Sequence, residues 1–249
     1  MRLKSRALVR YAIFIIALYI VMLAATAPAT LLARMLPPQS GLQLGYLSGT
    51  LWQGTVDKAS FPSALGQVQV RDIRWELQWS YLLRGELALK LESAEAVGNI
   101  IVARSWRTLR IAQADLALPA AELAQILPAL MHWEPEGEVQ LQTRSFALQS
   151  NSEAMLTWRN AALNLSSLQP LGDYRLNIRY TAEKMELQLE TQQGDLKLAG
   201  QGSYSAQAGL KFQGTAQTDA AHAADLKKLL EVIGQNRGDG VHAFSLALR

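Results

Sequence analysis

"DYRLNIRYTAEKMELQLE", residues 173–190, sets Tyr174, Leu176, Ile178 and Tyr180 in one period-two run and Met185, Leu187 and Leu189 in the next. Arginine, asparagine, glutamine and glutamate fill the positions between them. Successive side chains of a strand point to opposite faces, so this pattern builds one apolar face and leaves the other to water. Antiparallel sheets with one wet face have that requirement. The pattern continues in both directions. Towards the C terminus it returns at Leu196 and Leu198, at Leu210 and Phe212, and at Phe244, Leu246 and Leu248. Towards the N terminus it returns at Leu163 and Leu165, Leu156 and Trp158, Val139 and Leu141, and Leu87, Leu89 and Leu91. Further upstream Val68 and Val70 keep one phase, whereas Ile73, Trp75, Leu77 and Trp79 keep the other. The switch near Arg71 and Asp72 predicts a bulge. On a regular strand Trp75 and Trp79 would point the same way, favouring core packing over ligand stacking.

Two segments break this rhythm. "PAAELAQILPALM" (119–131) places Leu123, Ile126, Leu127 and Leu130 at helical spacing, with Pro119 suited to a first turn and Pro128 limiting or kinking the helix. "DAAHAADLKKLLEVIG" (219–234) offers Asp219 as N-cap and Gly234 as a stop. The expected fold is mainly β: a curved, mostly antiparallel sheet with two short helices. "IRWELQWSYLLRGELALKLE" and "LTWRNAALNLSSLQPLGDYRLNIR" each run tryptophan strand, leucine-rich link, glycine, alternating strand. This echo fits two similar β-meander halves and equally two ordinary meanders.

Ahead of the sheet, residues 11–33 carry no charge. As one helix they would reach about 34 Å, enough for a hydrocarbon core of about 30 Å. Arg2, Lys4, Arg6 and Arg10 precede the run and Arg34 follows it. That bias keeps the N terminus cytoplasmic and sends the remainder across the membrane. The predicted organisation is a basic cytoplasmic tail (1–10), a single transmembrane helix (11–33) and a periplasmic β-rich domain (34–249). Pro37, Pro38, Gln39, Ser40 and Gly41 form a turn-prone collar between the last two. The rival reading is a cleaved signal peptide with small residues at Ala25 and Ala27. Pro28 follows that site directly and the uncharged run continues beyond it, which argues against cleavage. Either reading delivers the body to the same compartment.

The basic N terminus also accounts for the formal charge of +3, because 19 basic residues face 21 acidic ones beyond Arg34. A near-neutral body lacks the electrostatic footprint of a nucleic-acid binder. The absence of cysteine removes thiol catalysis, disulfides and thiolate metal sites. His132, His222 and His242 have no second ligand at metal spacing. Glu134, Glu136 and Glu138 alternate in "WEPEGEV" and on a strand would share a face, as candidate acidic groups. Pro135 and Gly137 interrupt them, so a solvated turn is the better reading. No nucleophile elbow, phosphate loop or dinucleotide fingerprint is present. The expectation is no enzyme, no cofactor and no metal.

One further stretch, "GYLSGTLWQG" (45–54), is dense in turn-forming residues. Gly45, Gly49 and Gly54 are wrongly spaced for a phosphate cradle. Ser48-Gly49 reads as turn chemistry, flanked by Leu47, Thr50 and Trp52 as strand material. The stretch is therefore expected to be a hairpin corner that opens the sheet, with Trp52 docked on it.

"LSGTLWQG" (47–54), "IRWELQWSYLLRGELAL" (73–89), "LPALMHWEPEGEVQLQ" (127–142) and "LTWRNAALNLSSLQPLGDYRL" (156–176) follow in order behind a basic, then apolar, N terminus. In that order and spacing the chain resembles the type II secretion system protein N family, also called general secretion pathway protein N. The resemblance covers nearly the whole chain and makes Gly45, Leu47, Ser48, Gly49, Thr50, Leu51, Trp52 and Gly54 a structural family marker. It implies a non-enzymatic accessory component of the Gram-negative machine that exports folded proteins across the outer membrane. It further implies a single-pass inner-membrane protein whose partners are other secretion-system subunits, reached by strand addition at exposed sheet edges. The meander is also similar in style to AsmA-like envelope proteins, whose β-grooves are linked to lipid handling. That architectural likeness implies an alternative, an envelope module that binds lipid or another hydrophobic ligand.

Overall fold

The computed structural model describes residues 2–248 apart from 36–40, 64–65, 107, 127–131, 148–149, 182–183, 206, 220 and 239. The chain opens with helices α1 (Arg2–Ala25) and α2 (Thr30–Met35), then strands β1 (Gln43–Leu44), β2 (Leu47–Gly49), β3 (Gln53–Ser63) and β4 (Gly66–Leu77). Helix α3 (Trp79–Leu82) leads to β5 (Leu87–Ser93), β6 (Val97–Arg104) and β7 (Leu109–Pro119). After α4 (Ala120–Ile126) come β8 (Glu136–Ser145), β9 (Ser152–Ala162), β10 (Gly172–Thr181), β11 (Lys184–Gly194), β12 (Leu196–Ser205) and β13 (Gly209–Thr218). Helix α5 (Ala223–Ile233) precedes β14 (Gln235–Asn236) and β15 (Val241–Leu248).

These strands form one antiparallel sheet of 15, in up-and-down order from β3 to β13, with β1 and β2 beside β3 and with β15 then β14 closing the far side. A twisted open sheet of more than about 10 strands curls. This one curves around an open trough of about 2690 Å³ across β7–β15. The alternation of the sequence becomes rows across the sheet. Leu141, Leu156, Leu176 and Leu189 stand opposite one another from β8 to β11, and the row continues through Gly200 and Gly214 to Phe244. One residue along, on the other face, Gln142, Met155, Asn177, Gln188, Gln201 and Gln213 form the parallel row. On that wet face Glu138 meets Arg159 at 3.7 Å, Glu153 meets Arg179 at 2.9 Å and Arg175 meets Glu190 at 3.7 Å. Each pair joins residues directly opposite on neighbouring strands, which secures register more than stability.

The main core lies where α5 covers the apolar face. Leu226, Leu229 and Leu230, at helical spacing, are buried against Leu171, Tyr174, Leu196 and Ala216. Phe212 and Phe244 stack with centroids 6.1 Å apart. Glycine is required beneath them, because a Cβ at Gly200 would come within 2.7 Å of the Phe212 ring and one at Gly214 within 2.6 Å of the Phe244 ring. A second core at the N-terminal side joins Ala29, Val56 and Trp75. A third, on Ala88, Ala103 and Ala112, is covered by Tyr81 of α3.

Several expectations are corrected. Residues 11–33 are not one helix: α1 stops at Ala25, and α2 starts only at Thr30. Pro28 disfavours the helical conformation at Ala27, and the Ala29 N–H turns instead to the Gly49 carbonyl at 3.1 Å. Among the described residues no helix is long and apolar enough to cross a membrane. Asp72 takes a left-handed φ of 49° while the β3–β4 register runs unbroken, so both strands change face together and no bulge forms. Strand β4 ends at Leu77, which places Trp79 on the unforeseen helix α3 and separates it from the buried Trp75. Pro119 is the last residue of β7, not the first turn of a helix, while Pro128 lies outside the described residues. Helix α5 begins after His222, not at Asp219, whose carboxylate pairs with Lys197 at 3.3 Å. Gly234 does end it, in extended rather than left-handed backbone. Leu163 and Leu165 follow the end of β9 and belong to no strand.

Candidate functional site: the junction of helix and sheet

Residues 45–54 meet the end of α1 and join it to the sheet. Strand β2 pairs with β3 from Leu47 opposite Val56 to Gly49 opposite Gly54. Ser48 and Gly49 are thus strand residues, and the turn falls one step later than the sequence predicts, on Thr50, Leu51 and Trp52. Thr50 closes that turn by donating its N–H to the Gln53 carbonyl at 2.8 Å. The Ser48 and Thr55 hydroxyls share a hydrogen bond of 2.7 Å across the ladder. Gly49 has φ +93°, and a Cβ there would sit 2.6 Å from the Gln53 carbonyl oxygen. Gly54 lies against the Trp75 ring, so a side chain would displace that buried indole. Gly45 packs on the Asp57 carboxylate, which accepts the Tyr46 N–H at 2.7 Å.

Three hydrogen bonds hold the helix end to this corner. Trp52 donates its indole N–H to the Ala24 carbonyl at 2.7 Å, Leu51 donates its N–H to Ala27 at 2.8 Å, and Ala29 donates to Gly49. The indole bond satisfies one of the last carbonyls of α1, which lack intrahelical partners. Ala29 is buried against Val56 and Trp75, so the connection is packed as well as hydrogen-bonded. Trp52 also lies over Trp79 with ring centroids 5.7 Å apart. The partners Ala24, Ala27 and Ala29 carried no signal in the sequence, because backbone carbonyls and N–H groups are common to all residues.

The remaining candidates do not converge. His132 is exposed; His222 stands at the N-cap of α5, with Nδ1 3.8 Å from Asp195; His242 is buried on β15 opposite Ala216. Glu136 and Glu138 lie on β8 and not in a turn, whereas Glu134, at φ 43°, accepts the Asn164 amide at 2.6 Å. Among the described residues no three His, Cys, Asp or Glu side chains gather as metal ligands would. Tyr174 is buried and donates its hydroxyl to the Leu196 carbonyl at 3.0 Å. Burial, followed by the nearby Asp173 and Asp195 carboxylates, pushes that hydroxyl well above the ordinary tyrosine range. Its bond ties β10 to β12.

No solved structure matches the chain. Proteins named type II secretion system protein N are similar over nearly its full length. That of Pectobacterium carotovorum subsp. carotovorum is 25% identical, over 98% of each chain. That of Aeromonas hydrophila is 26% identical over 96% of each, and that of Vibrio cholerae 24% identical over 88% of this chain and 89% of its own. The profile of the family described as type II secretion system (T2SS), protein N matches residues 40–245, from ahead of the junction to the last strand. The chain therefore belongs to the type II secretion system protein N family.

Proposed function

We propose that this secretion-system component is a non-enzymatic, inner-membrane-anchored protein that holds an open β-sheet in the periplasm, where its edges receive other subunits. The observation that carries the reading is α1 itself. Residues such as Ile13, Phe14, Ile16, Tyr19 and Met22 each expose more than half of their surface, although the helix end is pinned to the sheet. Such an apolar rod, preceded by four basic residues, is suited to a bilayer with its N terminus in the cytoplasm. Its uncharged helical part, 11–25, spans about 22 Å, and local thinning of the bilayer accommodates the remainder.

The far side of the sheet supports strand addition. Strand β14 pairs only with Ala243 and His242, and among the described residues no strand covers the outer edge of 244–248. An uncovered edge offers backbone donors and acceptors to a partner strand. The test is in-cell crosslinking from a photoreactive residue at Leu246. Adducts with other secretion-system subunits are expected. Adducts with neither subunit nor lipid, together with normal export in a deletion strain, overturn the reading. Removing residues 1–33 without a replacement export signal is expected to leave the body in the cytoplasm on fractionation, and its recovery in the periplasm overturns the topology.

The trough favours a second reading, binding of a lipid or another hydrophobic ligand. Its lining includes Leu187, Leu189, Phe212 and Phe244. Lipid adducts in the same crosslinking experiment would support this reading.

A further inference from the structure

One end of the N-terminal half of the sheet is unlike the other. Trp79, Leu83, Trp106 and Leu109 are all exposed there, Leu83 at 91% and Trp106 at 97%. The register places them together. Arg104, the last residue of β6, stands opposite both Leu87, which opens β5, and Leu109, which opens β7. Helix α3 joins the end of β4 to the start of β5 at this same end, and the turn carrying Trp106 joins β6 to β7. This is also the end at which α1 arrives. Trp52, bonded to the Ala24 carbonyl, immediately precedes β3 and packs against Trp79 in a tilted pair. The apolar surface of α1 therefore continues through the Trp52–Trp79 pair onto the sheet end.

Charge follows the same arrangement. The Arg84 guanidinium lies 5.8 Å from the centre of the Tyr81 ring, and Arg104 is exposed at the strand end. Glu86, in the turn between α3 and β5, is already engaged by Arg110 at 2.7 Å. Indole rings with leucine and arginine suit the boundary between acyl chains and headgroups, where tryptophan is enriched and cations meet anionic lipid. Scattered exposed apolar residues need no explanation, but a group gathered at one sheet end beside an apolar helix does.

We infer that this end of the sheet, carrying Trp79, Leu83, Arg84, Arg104, Trp106 and Leu109, docks on the anionic bilayer that holds α1. The inference rests on the anchored reading of α1. The membrane then orients the sheet as well as tethering it, because a second attachment beside the pinned helix sets the direction in which the strands leave the surface.

The cysteine-free chain permits a direct test with the full protein in vesicles of phosphatidylethanolamine and phosphatidylglycerol. Nitroxide labels are placed singly through Ile16→Cys, Leu83→Cys, Trp106→Cys and Val97→Cys. The last position is 81% exposed at the opposite end of the same strands. Relaxation by membrane-soluble oxygen is compared with relaxation by a water-soluble nickel chelate. Labels at 83 and 106 are expected to favour oxygen, label 16 to favour it more strongly, and label 97 to favour the chelate. Chelate access at 83 and 106 equal to that at 97, with label 16 still shielded, overturns the docking and leaves the anchor standing. Chelate access at 16 overturns the anchored reading, and the docking with it.

Discussion

At the scale of single residues, Gly49 and Trp52 do different things within the same corner. Gly49 occupies a left-handed backbone conformation beside the Gln53 carbonyl, so Gly49→Ala is expected to cost about 1–3 kcal/mol through strain. A chemical-denaturation midpoint unchanged from wild type would contradict that. Trp52 holds α1 by one hydrogen bond at a partly exposed site, so Trp52→Phe is expected to cost only about 0.5–1.5 kcal/mol. The more sensitive readout is limited proteolysis, in which cleavage around residues 26–29 should accelerate while cleavage of the sheet does not. The glycines here were visible in the sequence as turn chemistry, but their exact task was not. Gly54 is required by Trp75, its partner across the β3–β4 ladder, and Gly45 by the Asp57 carboxylate that packs on it.

At the scale of elements, α5 and the strands beneath it form the best-buried part of the molecule. Leu229→Ala removes a side chain buried at the centre of that contact and is expected to cost about 2–5 kcal/mol. Tyr174 adds a pH dependence of stated sign. Its folded-state pKa is raised, so the stabilisation is fully present below the unfolded value of about 10 and is lost as the pH rises beyond it. Tyr174→Phe should lose about 1 kcal/mol at neutral pH with the Leu196 bond, and should also lose part of the alkaline decline in stability. A parallel alkaline decline in wild type and variant would disprove the assignment. The period of 2 made most of the strands legible, and the leucine spacing made α5 legible. Helix α3 was not, because its Trp79–Leu82 segment extends the alternation of β4, and only the turn back to β5 ends that strand.

At the scale of the whole molecule, each strand meets mainly its neighbours in an open ladder, and the N-terminal and C-terminal cores are separate clusters. A structure built in this way unfolds by regions. Amide exchange of Leu229→Ala should therefore lose protection in β10–β13 while β3–β5 keep theirs. Equal loss in both regions would mean that the sheet unfolds as one unit. The sequence by itself determined most of the strands from β8 onward, their wet and apolar faces and the uncharged N-terminal run, because each rests on local period and charge, whereas β3, β6 and β7 gave no such signal. The tertiary structure alone decided that Ala24 meets Trp52, and that Trp79, Leu83 and Trp106 share one end of the sheet. Those outcomes depend on register between strands distant in sequence, and a register is settled by the summed packing of whole faces rather than by any short stretch.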